Sequence, residues 1–489
     1  MDLKASLREH VARFNKTDNE TYSQLIPNRD AADFLCENIP LLDCPDKDLE
    51  EIYYFRWWVY RKHIKKTEKG HIITEFLPDV PWAGPYNSIN CPACYHIREG
   101  RWLKDQDQWI KEYIDFWLNE KGNTHFYSSW LIHTIWEYCT IKNDFSFAIE
   151  RLPKLIRFYE KREKKHLRYS GLYWSSDNRD GMENSISGAG LRPTMNSYAY
   201  GDAIALAKIA GMAGETNIQI TYMEKAKLLK YHVDSLLWDK DFYKVIPQQE
   251  RENSILFRRP PVDPEHDVRE LLGFLPWYFC MPDYGKEGAF AHLLSPDGFR
   301  APVGLTTAEQ RHPRFMEPKP YECWWNGPVW PFATSYVLVA IRNLLKEYHQ
   351  NILNRDDYYR LLKQYAMSHK LVKEDGTDIP WIDENLHPFT GVWHARQTLQ
   401  AWGWRKDLGG VERGKDYNHS LFCDLVLSGL LGIDVKNGAF ICSPIIPNNW
   451  MYFRVENLWL NGKQYTISFD RTGTHYGQGK GLQITEITV

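Results

Sequence analysis

Residues 320–348 read PYECWWNGPVWPFATSYVLVAIRNLLKEY. The first part is polar and crowded with tryptophan; the second carries apolar residues at three- and four-residue spacing, which is the period of a helix. Gly327-Pro328 opens that long helix, a place where proline is tolerated because a first-turn N–H has no intrahelical partner. The same alternation of long polar loop and amphipathic helix recurs along the chain. Helical spacing marks residues 48–64, 106–120, 128–141, 145–162, 195–214, 219–239, 356–372, 391–404 and 420–433. Between them lie loops rich in Gly, Pro, Asn and Trp, such as TEFLPDVPWAGPYNSINC (74–91) and YWSSDNRDGMENSISGAGLRP (173–193). A coiled coil would show heptads and short loops, and a tetratricopeptide-type solenoid a fixed repeat; neither is present. Paired helices with long loops imply a mainly α toroid whose loops gather on one face around a pocket.

After about residue 432 the period changes to two. AFICSPIIP, YFRVENLWLN, KQYTISFD and LQITEITV alternate apolar and polar residues between Asn-Gly and Gly-containing turns. Residues 433–489 are therefore expected to form a small antiparallel β unit docked on a helical body of residues 1–432, with 1–48 as an N-terminal extension.

Lys+Arg 60 against Asp+Glu 63 gives a net charge of −3 with no long block of one sign, which argues against nucleic acid or an anionic membrane as partner. No segment has the apolar length of a membrane span, and MDLKASLREHVARF has no apolar signal core. The chain is expected to be soluble, cytoplasmic as written, and periplasmic or secreted if a signal peptide has been removed. Cysteine numbers 9, scattered; Cys91 and Cys94 form a lone C-x-x-C that reads as structural thiols. The 20 tryptophans and 29 tyrosines exceed what packing alone demands. Flat indole faces stack on the C–H faces of sugars, so a ring-shaped ligand moves up the order.

Glycosidic hydrolysis needs two carboxyl groups, one protonated to assist departure and one to activate water or attack carbon. Three loops offer candidates. In DNRDGMENSISG (177–188) the acids Asp177, Asp180 and Glu183 recur every three residues, followed by Asn184 and, beyond Gly190, Arg192. A calcium-decorated loop is the competing reading, weakened by Arg179 and by the absence of an EF-hand pattern. In PYECWWNGPVWPF, Trp324, Trp325, Asn326 and Trp330 suggest a sugar-stacking wall. In DIPWIDENLHPFTGVWHARQ, Asp383, Glu384 and Asn385 sit between Trp381 and Trp393, with turn capping as the bland alternative. Trp82, Tyr86, Trp174 and His419 complete the expected substrate contacts. GAG at 188–190 lacks the third glycine of a dinucleotide loop, and neither a Walker lysine nor H-E-x-x-H occurs.

These loops, in this order, resemble those of the (α/α)6-barrel (six-hairpin) glycosidases of glycoside hydrolase family 63 and the mannosylglycerate-hydrolase-like group. The resemblance rests on Gly181-Met182-Glu183-Asn184, on Trp325-Asn326-Gly327-Pro328-Val329-Trp330, on Glu384-Asn385-Leu386-His387-Pro388-Phe389-Thr390-Gly391 and on Asp416-Tyr417-Asn418-His419-Ser420. It implies a general acid at Glu183, a base at Glu384, an inverting exo-acting hydrolase of oligosaccharides or glycosides, and no metal or organic cofactor. Glu183 stands where that group usually has Asp, and Leu386-His387 where an aromatic and Asn are common, so the sugar is not fixed and a β-L-arabinofuranosidase-like activity stays open. Asp180 as the acid stays open too, as do an epimerase or lyase centred on His387, His394 and His419, and a non-catalytic glycan binder using Trp324 and Trp330.

Overall fold

The computed structural model describes residues 2–104, 107–373 and 375–487. Among these residues, six inner helical segments close into a ring in chain order: Asn90–Gly100, Leu131–Lys142, Pro193–Met212, Leu271–Tyr278, Pro331–Glu347 and the stretch around Leu425–Leu430, each packed on the next. The last returns to the first through buried charge. Arg98 Nε donates to Asp424 Oδ2 at 2.7 Å, and Glu99 accepts the backbone N–H groups of Cys423 at 3.0 Å and Asp424 at 2.8 Å.

Outer helices alternate with these in the chain, at Lys47–Lys62, Asp107–Leu118, Leu152–His166, Thr216–His232, Glu287–Leu294 and Arg355–Met367. Burial distinguishes the two layers. Pro331–Glu347 is buried nearly all round, as a helix between neighbours must be, whereas Leu152–His166 buries Leu152, Leu155, Phe158, Tyr159, Arg162 and His166 on one stripe. The outer helix Lys47–Lys62 is an exception, buried on most of its surface because Leu3–Lys16 and Asn28–Asn38 cover it from outside. The toroid and its (α/α)6 order are as the helical spacing and the resemblance imply.

The C-terminal strands Tyr452–Leu460, Lys463–Asp470 and Gly481–Ile487 form an antiparallel sheet. Its other edge is Leu41–Asp43, paired Leu42↔Val455, so the N-terminal extension supplies a strand to the C-terminal unit. Phe453, Val455, Leu458 and Leu460 point to the core; a bulge at Asn457 (φ 61°) keeps that face inward, and its Nδ2 donates to Ile39 O at 2.9 Å. Ile433–Lys436 and Ala439–Cys442 make a separate hairpin through Asn437-Gly438, both at positive φ as a two-residue turn of this type requires. No helix among the described residues is long and apolar enough to cross a membrane.

Candidate active site

The loops that lead into the inner helices meet over one end of the ring and enclose a cavity of about 720 Å³. It therefore lies at the N-terminal ends of Asn90–Gly100 and Pro331–Glu347, where unpaired N–H groups and the helix dipole favour negative charge. Four carboxyl groups line it, on Glu75, Glu183, Glu322 and Glu384. Its aromatic wall is Trp325 stacked on Trp330, with ring centroids 4.6 Å apart at 17°.

Glu183 is presented by a tight turn. Gly181 (φ 65°) and Asn184 (φ 62°) are left-handed on either side of it, and a short 3₁₀ turn over Asn178–Asp180 leads in. Asn184 Nδ2 donates to Cys323 O at 3.0 Å, and Trp325 N–H to Glu183 O at 3.1 Å, so this loop is zipped to the tryptophan loop. The Glu183 carboxylate accepts from Cys323 Sγ at 3.1 Å, and among the described residues it makes no ion pair. Burial pushes its pKa up to about 7, the neighbouring Asp177 and Glu322 add to the rise, and the Cys323 hydrogen bond opposes it.

Glu384 is held differently. Val329 and Leu386 exchange both backbone hydrogen bonds at 2.9 Å, which fixes its loop against the start of Pro331–Glu347. Arg413 then forks between two carboxylates, Nη1 donating to Glu322 Oε1 at 2.8 Å and Nη2 to Glu384 Oε1. Burial raises Glu384 to about 7, Arg413 pulls it down, and Glu322 and Asp383 push it up. Glu75, also buried, is raised to about 8 by burial; the Tyr417 hydroxyl opposes this by hydrogen bonding, while Glu384 and Glu183 reinforce it. At neutral pH the cavity thus holds Glu384 beside a fixed cation, Glu183 beside none, and Glu75 as the neutral acid.

Of the residues expected from sequence, Glu183, Glu384, Trp82, Asn184, Trp325, Trp330 and His419 line the cavity. The others do not, and each has a structural occupation. Asp180 is fully enclosed and satisfied by Arg192 Nε at 2.6 Å, Ser175 Oγ at 2.9 Å, Ser128 and Thr194, so Asp180 and Arg192 are engaged with each other outside the cavity lining. Asp177 caps the 3₁₀ turn. Tyr86 turns outward to donate to Glu68 at 2.6 Å. Trp174 is buried and donates to Gln248 O at 2.9 Å, and Trp393 to Lys370 O at 2.8 Å. Trp324 packs on His394, its ring centroid 4.2 Å away, while its neighbour Trp325 forms the wall. Asn326 donates to Glu317 O at 2.8 Å, and Asn385 Nδ2 donates to Glu322 O at 3.5 Å, which ties the Glu384 loop to the tryptophan loop. Of the three histidines in the epimerase alternative, only His419 reaches the cavity, its ring centroid 3.8 Å from that of Tyr417 at a tilt of 38°; burial holds its pKa well below the usual range.

Glu75, Glu322, Cys323, Arg413 and Tyr417 were not anticipated. Glu322-Cys323 directly precede Trp324-Trp325, Tyr417 lies in the Asp416–Ser420 motif, and Glu75 opens the Trp82 loop, so proximity to recognised motifs was a signal. Arg413 carried none. Cys91 and Cys94 are free, buried thiols on Asn90–Gly100, as read.

A family model described as the mannosylglycerate hydrolase MGH1-like glycoside hydrolase domain matches residues 85–420. A solved structure named as a sialidase is similar at 34% identity and TM-score 0.88 over 99% of this chain and 43% of that one, so this chain spans less than half its length. Likeness of fold alone is shared with the family 63 mannosylglycerate hydrolase of Thermus thermophilus solved with glucose, at 14% identity and TM-score 0.51 over 72% of this chain and 100% of that one. The same holds for a family 78 rhamnosidase of Bacillus sp. GL1, at 13% identity and TM-score 0.56 over 88% and 40% of the two chains. An uncharacterised protein of Borreliella burgdorferi is 27% identical over 172 residues, 34% of each chain. The family match runs through the loops carrying Glu183, the tryptophan wall and Glu384, and through Arg413: the chain belongs to the mannosylglycerate hydrolase MGH1-like glycoside hydrolase family.

Proposed function

We propose that the protein is an exo-acting glycoside hydrolase that inverts the anomeric centre, with Glu183 as general acid and Glu384 as general base. The observation that carries this reading is the unequal electrostatics of two glutamates facing one tryptophan-walled cavity. Burial raises both to about 7, but Glu384 accepts from Arg413, a cation that favours its ionised form, whereas Glu183 has the Cys323 thiol as its side-chain partner and no ion pair among the described residues. Carboxyl groups whose surroundings differ in this way divide into acid and base.

In the reaction, the Glu183 proton passes to the glycosidic oxygen as its bond to C1 breaks. A water attacks C1 from the opposite face and gives its proton to Glu384. Inversion requires room for that water, with carboxyl groups roughly 6.5–9.5 Å apart instead of the roughly 5–5.5 Å of a retaining enzyme. Arg413 orients Glu384, and Trp325 and Trp330 supply a face for a sugar ring. Glu75, neutral and buried, is suited to donate a hydrogen bond to a sugar hydroxyl.

The test is a panel of oligosaccharides and aryl glycosides, arabinofuranosides included, followed by proton NMR of the first product formed. Release of a terminal monosaccharide with anomeric configuration opposite to the substrate supports the proposal. Retained configuration, internal cleavage or an isomerised sugar of unchanged mass overturns it.

A further inference from the structure

A second cavity, of about 230 Å³, lies on the far side of Phe126, Tyr127 and Arg179 from the active site, and these three residues border both. Its lining carries Lys161, Arg162, Lys165 and Arg179, together with His125 and His166, and no acidic side chain. Two of the cations are already paired, Lys161 with Glu120 and Arg162 with Asp202. Lys165 and Arg179 form no ion pair among the described residues. The field of these cations reaches the histidines. Burial lowers His125 to about 4, with Glu120 opposing and Lys161, Arg162 and Lys165 adding to the fall, and lowers His166 to about 3, with Lys165, Arg179 and Arg162 adding to it, so both imidazoles are neutral hydrogen-bonding groups. Among the described residues, His125 Nε2 and the Nε and Nη2 of Arg162 are buried there without a hydrogen-bond partner. Phe158, Met195 and the half-exposed Phe126 provide an apolar floor.

We infer that this cavity binds an anionic sugar unit: a sugar-sized group whose carboxylate or sulfate sits against Lys165 and Arg179 while its ring rests on Phe126. Charge-assisted hydrogen bonds from two unpaired cations supply the attraction. A volume below the roughly 300–1,000 Å³ of complete ligand pockets suits one such unit and not a whole oligosaccharide. The shared wall of Phe126, Tyr127 and Arg179 puts the unit next to the active site, where it is either part of a longer acidic substrate or a separate acidic saccharide. The binding claim stands on the second cavity, and the choice of a sugar rests on the glycosidase reading of its neighbour.

Calorimetric titration of the full chain with methyl β-D-glucuronide, methyl β-D-glucoside and inorganic sulfate tests it without turnover, so its failure and that of the hydrolase reading are separable. The glucuronide is expected to bind at least ~10-fold tighter than either control, and to weaken as salt rises from 20 to 200 mM by roughly 5-fold through screening. Lys165→Ala should lower that affinity about 10-fold, equal to the loss of one tenfold step in binding constant. Trp325→Ala, in the other cavity, should leave it unchanged; a retained affinity there with loss in Lys165→Ala places the ligand. Equal binding of sulfate or glucoside, insensitivity to Lys165→Ala, or loss in Trp325→Ala would each overturn the inference. A glucuronate-capped oligosaccharide that competes with methyl glucuronide and is also cleaved points to a substrate subsite; free glucuronide that alters cleavage of a neutral substrate points to a separate ligand.

Discussion

Asp180 and Glu183 stand three positions apart in one loop and have opposite fates. Asp180 faces inward, meets Arg192 and three hydroxyl groups, and has every oxygen occupied. Glu183 emerges past a left-handed glycine into the cavity with a thiol as its side-chain partner. Density of acids in a loop does not single out a candidate acid; spare hydrogen-bonding capacity aimed at a cavity is what favours Glu183 for the proposed role. Asp180 and Arg192 build the loop that delivers Glu183.

The contrast breaks most visibly under substitution. Glu183→Gln should lower kcat by about 10³-fold or more, the loss expected for a positioned proton donor, with thermal unfolding unchanged. Asp180→Asn should instead leave Arg192 buried and unpaired, costing about 3–5 kcal/mol of stability, with activity lost in proportion to the folded fraction. If Asp180→Asn stays folded yet inactive, the two roles are reversed.

Arg413 sharpens the second half of the comparison, between Glu183 and Glu384. Arg413→Met removes the cation that lowers Glu384, so the base is protonated to higher pH and the acid limb of kcat/KM moves upward; a loss of about 10²-fold at neutral pH is expected from the missing orientation. An unmoved acid limb would show that Glu384 is not the titrating base.

Glu75 gives a smaller effect, read in stability. Its folded-state pKa of about 8 lies above the ordinary 4.5, so its contribution is fully present below pH 4.5 and is lost as pH rises through about 8. Glu75→Gln removes that dependence. Its Tm relative to the wild type should climb between pH 5 and 8.5, on the order of 2 °C for each kcal/mol recovered. A constant difference would mean that Glu75 ionises normally.

Cys323→Ala is expected to do least. The thiol hydrogen bond lowers Glu183, so its removal raises the pKa of the acid and shifts the alkaline limb of the pH profile upward, by less than about one pH unit for one weak donor. A downward shift would contradict the assigned contact.

The toroid was legible because helix period and loop composition are local properties: the inner Pro331–Glu347 and the outer Leu152–His166 both announce themselves in the chain. The strand Leu41–Asp43 was not, since three residues carry no period and its sheet partners lie some four hundred positions away. At the site, motif order pointed to Glu183 and Glu384, and both line the cavity. Trp324 and Trp325 were both proposed as wall, and sequence had no means to tell which of two adjacent indoles turns inward. Arg413 was missed for a similar reason: a buried fork between two carboxylates is a long-range arrangement, and GVERGKD looks like any solvated turn.

The division of labour between the two glutamates is tested most directly by leaving-group dependence. On the sugar identified by the panel, Glu183→Gln should retain activity to within about 10-fold on a 2,4-dinitrophenyl glycoside, whose departure needs no proton, while losing about 10³-fold on an alkyl glycoside; Glu384→Gln should lose both. Equal losses on the two substrates in Glu183→Gln, or selective rescue of Glu384→Gln by the activated leaving group, would contradict the account.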